Sequence, residues 1–551
     1  MNNNINYFRK KGDSQIFASS MGLLFSLLMV AWIVTIILTK GLGCFWPRDI
    51  AQVTLKNGEK YFGEKWEAQT DKVLSETGTA QHVERLQLKI GNRDVYGVDF
   101  KWLDKKDIEA LAYPKTGVVF ERSEYGNFYG FIDKIHTPEQ TLNAETADFM
   151  ARAHAAHTAA LKVKTEIKHT QAKITDLTKP LTQLHREIKL LEISAKGQTA
   201  AGRKKRVELK KESEKIEQNI ADEYQHLTAR LSKLAEKDQA TYLAVKTVDG
   251  REKEIRLSHL VRFFQPNAMS LGQKALLYAA KLWEFVAAEP RESNTEGGVF
   301  PAIFGTVLMV LLMSVAVVPF GVMAAIYLNE YAKQGAIIRF IRLSVNNLAG
   351  VPSIVFGVFG LGFFVYVVGG GIDHLFFSDK LPEPTFGTGG ILWASLTLAL
   401  LTLPVVVVAT EEGLLAVPRA NKEAALALGA TRWQMIRKIA LPNAMPGILT
   451  GLILAISRGA GEVAPLMITG VVKLAPALAL DGIFPFLHLD RKFMHLGFHI
   501  YDVGFQSPNV EAAKPMVYST ALLLIIIVLL LNIGAIYFRN RLKKKFKPST
   551  F

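Results

Sequence analysis

The sequence predicts an all-α polytopic membrane protein with six transmembrane helices. A large α+β extramembrane insertion, containing an antiparallel helical hairpin, is set into it. Three observations carry this prediction. Six stretches stay apolar for about 20 residues, the length that crosses a hydrocarbon core. One long block between the first and second stretches is polar throughout. Lys and Arg gather in alternate connections, as the positive-inside rule requires of a multi-pass chain. The averages over 551 residues, 49% hydrophobic with net charge +15, conceal that division.

The six stretches are 16–39, 303–328, 345–368, 391–409, 448–469 and 518–538. The first follows Arg9, Lys10 and Lys11. Its apolar run is long and no small-x-small cleavage site ends it, so an uncleaved anchor is expected. Further basic groups are Lys333, Arg339 and Arg342; then Arg419, Lys422, Arg432, Arg437 and Lys438; then Arg539, Arg541, Lys543, Lys544, Lys545 and Lys547. Six spans with both termini in the cytoplasm place all of them inside. The segments 369–390, with Asp373, Asp379 and Glu383, and 471–515 then fall outside. The expected divisions are a cytoplasmic N-terminus and span one (1–40), a periplasmic insertion (41–295), five further spans (296–540) and a basic cytoplasmic tail (541–551).

The insertion opens with β signals. Asn57-Gly58 sits between short alternating runs, which predicts a hairpin turn. Residues 86–90 alternate apolar and polar, and 95–100 and 128–132 are further strand candidates. A helical part, about 141–238, follows. Ile174, Leu177, Leu181, Leu184, Ile188 and Leu191 form one stripe at spacings of three and four. Leu209, Ile216, Ile220, Leu227, Leu231 and Leu234 form another. The glycine-bounded turn 196–202 separates them, which predicts two antiparallel arms. Pro180 is expected to kink or interrupt the first arm. Beyond the arms, Asp249-Gly250 predicts a second β-hairpin, so the arms grow out of a β domain. His154, His157, His169 and His185 lack the paired spacing of a metal site and are expected on the solvated surface.

The single cysteine, Cys44, excludes an intrachain disulfide, and no clustered metal ligands occur. No P-loop is present. The nearest approach, Gly197 to Lys204, lacks the required lysine and hydroxyl and lies on the side away from cytoplasmic ATP. The basic balance follows membrane topology, so no nucleic-acid partner is implied. Neither a catalytic centre nor a cofactor is expected in this chain.

Inside the spans, ionisable groups are costly and point to function. Arg458 and Glu462 are four apart, on one face of a continuous fifth helix. Two readings remain open on spacing alone. The pair neutralises itself, or Arg458 offers a planar fork of donors to a tetrahedral oxyanion while Glu462 orients it. Pro319, Pro352, Pro404 and Pro465 are expected as kinks within the spans.

The polar connection before span five is more specific. Glu423, Ala424 and Ala425 place an acid and two small side chains on a short helix. Gly429 ends that helix with positive φ. Ile439, Leu441 and Pro442 follow, Pro442 marking a change of direction before the next span. The segment reads as a docking knob with no catalytic content.

The order Glu-Ala-Ala, three residues, Gly, nine residues, Ile-x-Leu-Pro resembles the EAA loop of ABC-importer permeases. Residues 297–306, 324–331, 349–357 and 458–466 are similar to the phosphate-importer permeases of the PstA family. That resemblance covers roughly 297–547 strongly and span one weakly. It implies that the loop docks into a partner ATPase, which alone uses ATP and Mg. It also assigns Arg458 and Glu462 to the passage of phosphate. The partners it implies are a PstC-like second permease, a PstB-like ATPase dimer and a PstS-like periplasmic phosphate-binding protein, all at the inner membrane. The chain departs from that family in its large insertion. Rival readings are a permease for molybdate or sulfate, and a membrane-anchored periplasmic scaffold or sensor.

Overall fold

The computed structural model describes residues 13–74, 80–146, 148–193, 198–378, 380–482, 484–507 and 509–545. Arg9, Lys10, Lys11, Lys196, Gly197, Asp379 and Lys547, used above, lie outside them. The chain divides into two compact units. One comprises Met1–Phe45 with Trp283–Phe551, and the other is Trp46–Leu282.

Among the described residues, the first unit contains six helices long and apolar enough to cross a membrane. They are Gln15–Gly43, Phe300–Tyr331, Ser353–Phe376, Ile391–Leu415, Arg432–Gly461 and Val510–Leu542, named here spans one to six. Span four is the most enclosed. Its Ile391, Ala394, Leu398, Leu401 and Val406 form a core with Met309, Met313 and Val317 of span two and Ala455 and Ala460 of span five. Small residues allow this closeness. A Cβ built on Gly447 would lie 2.7 Å from Cα of Gly413, so spans four and five touch backbone to backbone there.

Three boundaries differ from the sequence expectation. The third stretch, 345–368, divides into a separate amphipathic helix Ala336–Leu348 and a span that begins at Ser353. Pro352 is the N-cap of that span and lies outside its helix. The helix of span five ends at Gly461, and residues Ala464–Thr469 form a separate short helix with Pro465 in its first turn. Pro319 and Pro404 do lie inside spans two and four. Asp373, expected in an outer loop, belongs to the end of span three. It is buried and accepts the backbone N–H groups of Phe386 and Gly387, at 2.9 and 2.7 Å. The segment 471–515 likewise contains a helix, Leu496–Phe505, with buried Asp502 joined to Lys473 at 3.1 Å.

The second unit is built on antiparallel sheets. Strands β1 (Ile50–Leu55), β2 (Lys60–Leu74), β3 (Ala80–Lys89), β4 (Phe100–Asp104) and β5 (Ile108–Ala112) form one sheet in the order β4-β3-β2-β1-β5. The β1–β2 turn holds Gly58 at φ 86°, and Asn57 Oδ1 accepts the N–H of Glu59. Residues 95–100 are mostly not strand, because Arg93–Tyr96 is a single helical turn. Strands β6 (Val118–Arg122), β7 (Phe128–His136), β8 (Thr141–Asn143), β9 (Tyr242–Lys246), β10 (Glu252–Arg256) and β11 (Leu260–Phe264) form the other sheet. Its order is β10-β9-β7-β6-β11, with β8 on β7. Strands from before and after the helical arms therefore pair with each other.

The arms are Phe149–Ile193 and Ala200–Gln239. Contacts Glu192–Lys210 at 3.4 Å, His185–Ser213 at 2.9 Å and Glu166–Arg230 at 3.6 Å join them in opposite directions. The first arm continues through Pro180. Pro180 is exposed, so the carbonyl it leaves without a helical donor faces water. The histidine expectation is corrected in part. His157 is buried, with Nε2 3.0 Å from the Leu260 carbonyl. His154 lies on the exposed surface as expected. There it stacks on Phe263 with ring centres 4.3 Å apart, and partial desolvation against that ring, followed by the nearby His157, lowers its pKa. His169 is exposed as expected.

The unit's two ends are stitched together. Asn267 Oδ1 accepts the N–H of Ile50 at 2.9 Å, while its Nδ2 donates to the carbonyls of Ile50 and Pro114 at 2.8 and 2.9 Å.

Candidate functional site

Residues Arg419–Ala427 form a short helix. Gly429 follows at φ 84°, a conformation that costs an L side chain roughly 1–2 kcal/mol. Thr431 then opens the next helix with a capping box. Its hydroxyl accepts the Gln434 N–H at 3.2 Å, and Gln434 Oε1 accepts the Thr431 N–H at 2.9 Å. The chain thus reverses at Gly429–Thr431. Pro442, expected to mark the turn, instead lies within the continuous helical run of span five. A π-turn, Ile436–Ala440, precedes it.

Glu423 and Ala424 are exposed, whereas Ala425 packs inward among Met435, Ile436 and Ala440. Ile439, Leu441 and Pro442 are half-buried. Leu428 and Trp433 project outward, 89% and 56% exposed. The result is a rigid reversal with an acid and several apolar side chains on its outer surface, which suits docking against another protein.

Arg458 lies about 40 Å along the same helical run from Arg432, at a rise of about 1.5 Å per residue. The loop and the pair are therefore not one site. They are the two ends of one rod. Arg458 and Glu462 are near each other, but not as two turns of one helix. Glu462 is the C-cap, with φ −78° and ψ 134°. Its Oε1 is 3.8 Å from Arg458 Nε, and the side chains are 29% and 23% exposed. Arg458 Nη2 also donates weakly to the Ala349 carbonyl at 3.4 Å, in the break before span three. Two interrupted helices therefore meet at this guanidinium. Non-helical backbone of this kind inside a membrane bundle is tolerated where it is buried in protein or lines a cavity.

The surroundings of Arg458 are fixed from two sides. A Cβ on Gly459 would come within 2.5 Å of Met313 Sδ, so span two packs closely behind the arginine. Ser457 Oγ lies 3.0 Å from Asn532 Oδ1 of span six. Around Gly461 there is open space. The arginine is held loosely by Glu462, and span two packs closely behind its turn.

Sequence reasoning passed over a second set of charges at the base of the loop. Lys422 Nζ lies 2.6 Å from Glu330 Oε1 and donates to the Leu414 carbonyl at 3.2 Å. Arg342 Nε meets Glu411 Oε1 at 3.1 Å, Nη1 meets Gln334 Oε1 at 2.8 Å, and Nη2 meets the Leu328 carbonyl at 3.1 Å. The signal was present: Glu330 and Glu411 are acids at the ends of apolar spans, where they need partners.

A bundle of spanning helices, broken around a partly buried arginine and bearing an exposed helical reversal, is the architecture of a transport permease. Residues 317–548 match the family described as binding-protein-dependent transport system inner membrane component. The chain is 31% identical over 268 residues to the probable ABC transporter permease protein YqgI of Bacillus subtilis (strain 168), covering 48% of this chain and 85% of that protein. It is 36% identical over 252 residues to the phosphate transport system permease protein PstA of Yersinia pestis, covering 46% and 75%. With PstA 1 of Mycobacterium tuberculosis (strain ATCC 25618 / H37Rv) it shares 36% over 244 residues, covering 44% and 70%. The chain belongs to this family of ABC transporter permeases, as a PstA-like member. Each of these matches covers less than half of the chain.

Proposed function

We propose that this chain is one permease subunit of an importer that moves inorganic phosphate across the bacterial inner membrane. The observation that carries the reading is the loosely paired Arg458 guanidinium, 3.8 Å from Glu462 and set between two helix breaks. A planar fork of N–H donors suits a tetrahedral oxyanion. A carboxylate just out of close contact keeps that fork oriented and lets the anion leave. Relatives named as phosphate transport permeases support the same anion.

In this reading Glu423, Ala424, Ala425, Gly429, Ile439, Leu441 and Pro442 form the docking element for a PstB-like ATPase dimer. That partner uses ATP and Mg, and this chain performs no catalysis. A PstC-like chain completes the pathway, and a PstS-like binding protein delivers phosphate. Both termini face the cytoplasm, and the insertion 41–295, with its antiparallel arms at about 141–238, faces the periplasm.

The test is uptake of labelled phosphate by the complex reconstituted in proteoliposomes with its binding protein. Phosphate uptake that excess sulfate and molybdate leave intact is expected. Uptake of either competitor in preference to phosphate refutes the assignment.

A further inference from the structure

We propose that the Lys422–Glu330 ion pair is the strut through which the docking loop moves span two, and that span two, not span five alone, carries the movement to Arg458. The proposal rests on the permease reading above and adds positioning residues to it.

Lys422 is on the exposed docking helix, one residue before Glu423, yet its side chain is turned inward. Only 16% of it remains accessible, against 10% for Glu330. An ammonium so enclosed needs fixed partners. It has two, the Glu330 carboxylate and the Leu414 carbonyl at the end of span four. Glu330 is held further by Asn329 Nδ2, which donates to its Oε1 at 2.9 Å. A close pair in such an environment is stiff, because separating it strands two charges away from water.

Glu330 stands at an unusual place. Span two ends in a π-turn, Tyr327–Tyr331, and such turns are rare and cluster at functional sites. The turn is grasped a second time. Arg342 Nη2 and Gln334 Nε2 each donate to the Leu328 carbonyl at 3.1 Å, and Arg342 also holds Glu411 of span four. The charged groups facing this turn are therefore Lys422, Arg342 and Glu411, and each is paired. Displacing the docking helix pulls on Glu330, and through it on the end of span two.

At the far part of span two, Met313 is fully buried, and its sulfur fills the space where Gly459 has no side chain. Gly459 is the neighbour of Arg458. One continuous helix, running through Pro319, thus touches the loop's lysine near one end and the back of the arginine's turn further along. Span five gives a second line from the same loop. Two rods fixed to one knob convert its displacement into a shear at Arg458, where a single rod would translate the site whole.

The experiment uses the complete complex with its ATPase and native binding protein in proteoliposomes. Lys422→Met, Glu330→Gln and the swapped pair Lys422→Glu with Glu330→Lys are compared. The readout is stimulation of ATP hydrolysis by loaded binding protein, with basal hydrolysis and subunit co-purification measured alongside. Each single variant should keep the subunits together and keep basal hydrolysis, while stimulation falls about tenfold, within the range of ordinary coupling energies. The swapped pair should recover a clear part of it. Full stimulation in both single variants overturns the proposal. So does loss of the ATPase from the single variants, or failure of the swap to restore anything, since either assigns the pair to fold stability. A complex stimulated by a binding protein loaded with another oxyanion would refute phosphate as the cargo and leave the strut testable.

Discussion

Replacing Arg458 with Gln separates its two possible roles, because the structure gives them different magnitudes. As an ion pair, Arg458–Glu462 is weak. The separation is 3.8 Å and about a quarter of each side chain is accessible. Pairs of that kind contribute about 0.2–1 kcal/mol. The remaining bond, to the Ala349 carbonyl, is long at 3.4 Å. Removal should therefore lower stability by no more than about 1 kcal/mol, roughly 2–4 °C in melting temperature for a sizeable domain. As an anion contact the arginine is worth more. A hydrogen bond to a charged group contributes about 1.5–3 kcal/mol. Each 1.4 kcal/mol is a factor of ten, so uptake should fall about ten- to a hundredfold. Arg458→Lys keeps the charge without the fork and should fall between. Arg458→Gln with Glu462→Gln controls for the stranded carboxylate. The assay is initial uptake per assembled complex, with thermal unfolding of the same preparations. Wild-type uptake by Arg458→Gln refutes the pathway role. A fall in uptake that merely tracks loss of folded protein refutes it equally.

Glu423→Lys reverses an exposed charge on the proposed docking surface without touching packing. ATP hydrolysis should persist while transport per ATP falls, and unchanged coupling would show that this face does not dock. In the second unit, His154 should make stability depend on pH. Partial desolvation and the neighbouring His157 lower its folded pKa, so below about pH 6.5 the unfolded chain binds the proton more readily. Stability should decline as pH falls from 7.5 towards 5.5, and His154→Phe, which keeps a ring against Phe263, should flatten that decline. Denaturation followed at the two pH values checks this, and equal slopes would refute it.

Much of the architecture was legible because it depends on local signals. An apolar run of spanning length has few alternatives in water. Asn57-Gly58 and Asp249-Gly250 specify tight hairpins by backbone conformation alone. Strand β6 shows where such signals stop. Val118-Val-Phe-Glu-Arg122 is buried at all five positions, so it has no alternation to detect. Its charges are satisfied at a distance, Glu121 by Arg262 and Lys281 and Arg122 by Asp94. The burial of His157 depends likewise on a strand about a hundred residues away. At the candidate site, the identities of Arg458 and Glu462 were readable but their geometry was not. Spacing of four on an apolar run implies one helix, whereas the chain leaves the helix at Glu462. Pro465 and two glycines were the available warnings. Lys422–Glu330 was invisible for a simpler reason, since the partners are 92 residues apart.

The three bonds of Asn267 have a consequence for how such a chain could arise and be edited. The strand that enters the second unit and the segment that leaves it are bonded side by side, at Ile50 and Asn267. A module whose entry and exit are neighbours asks its host for one splice point and no rearrangement. The host helices need only tolerate a loop at that position. The same closeness makes the module portable. Cut near Trp46 and Leu282 and bridged by a short polar linker, the remaining chain keeps all six spanning helices. The excised piece carries its own clasp, and its arms can be lengthened or shortened without disturbing the joint.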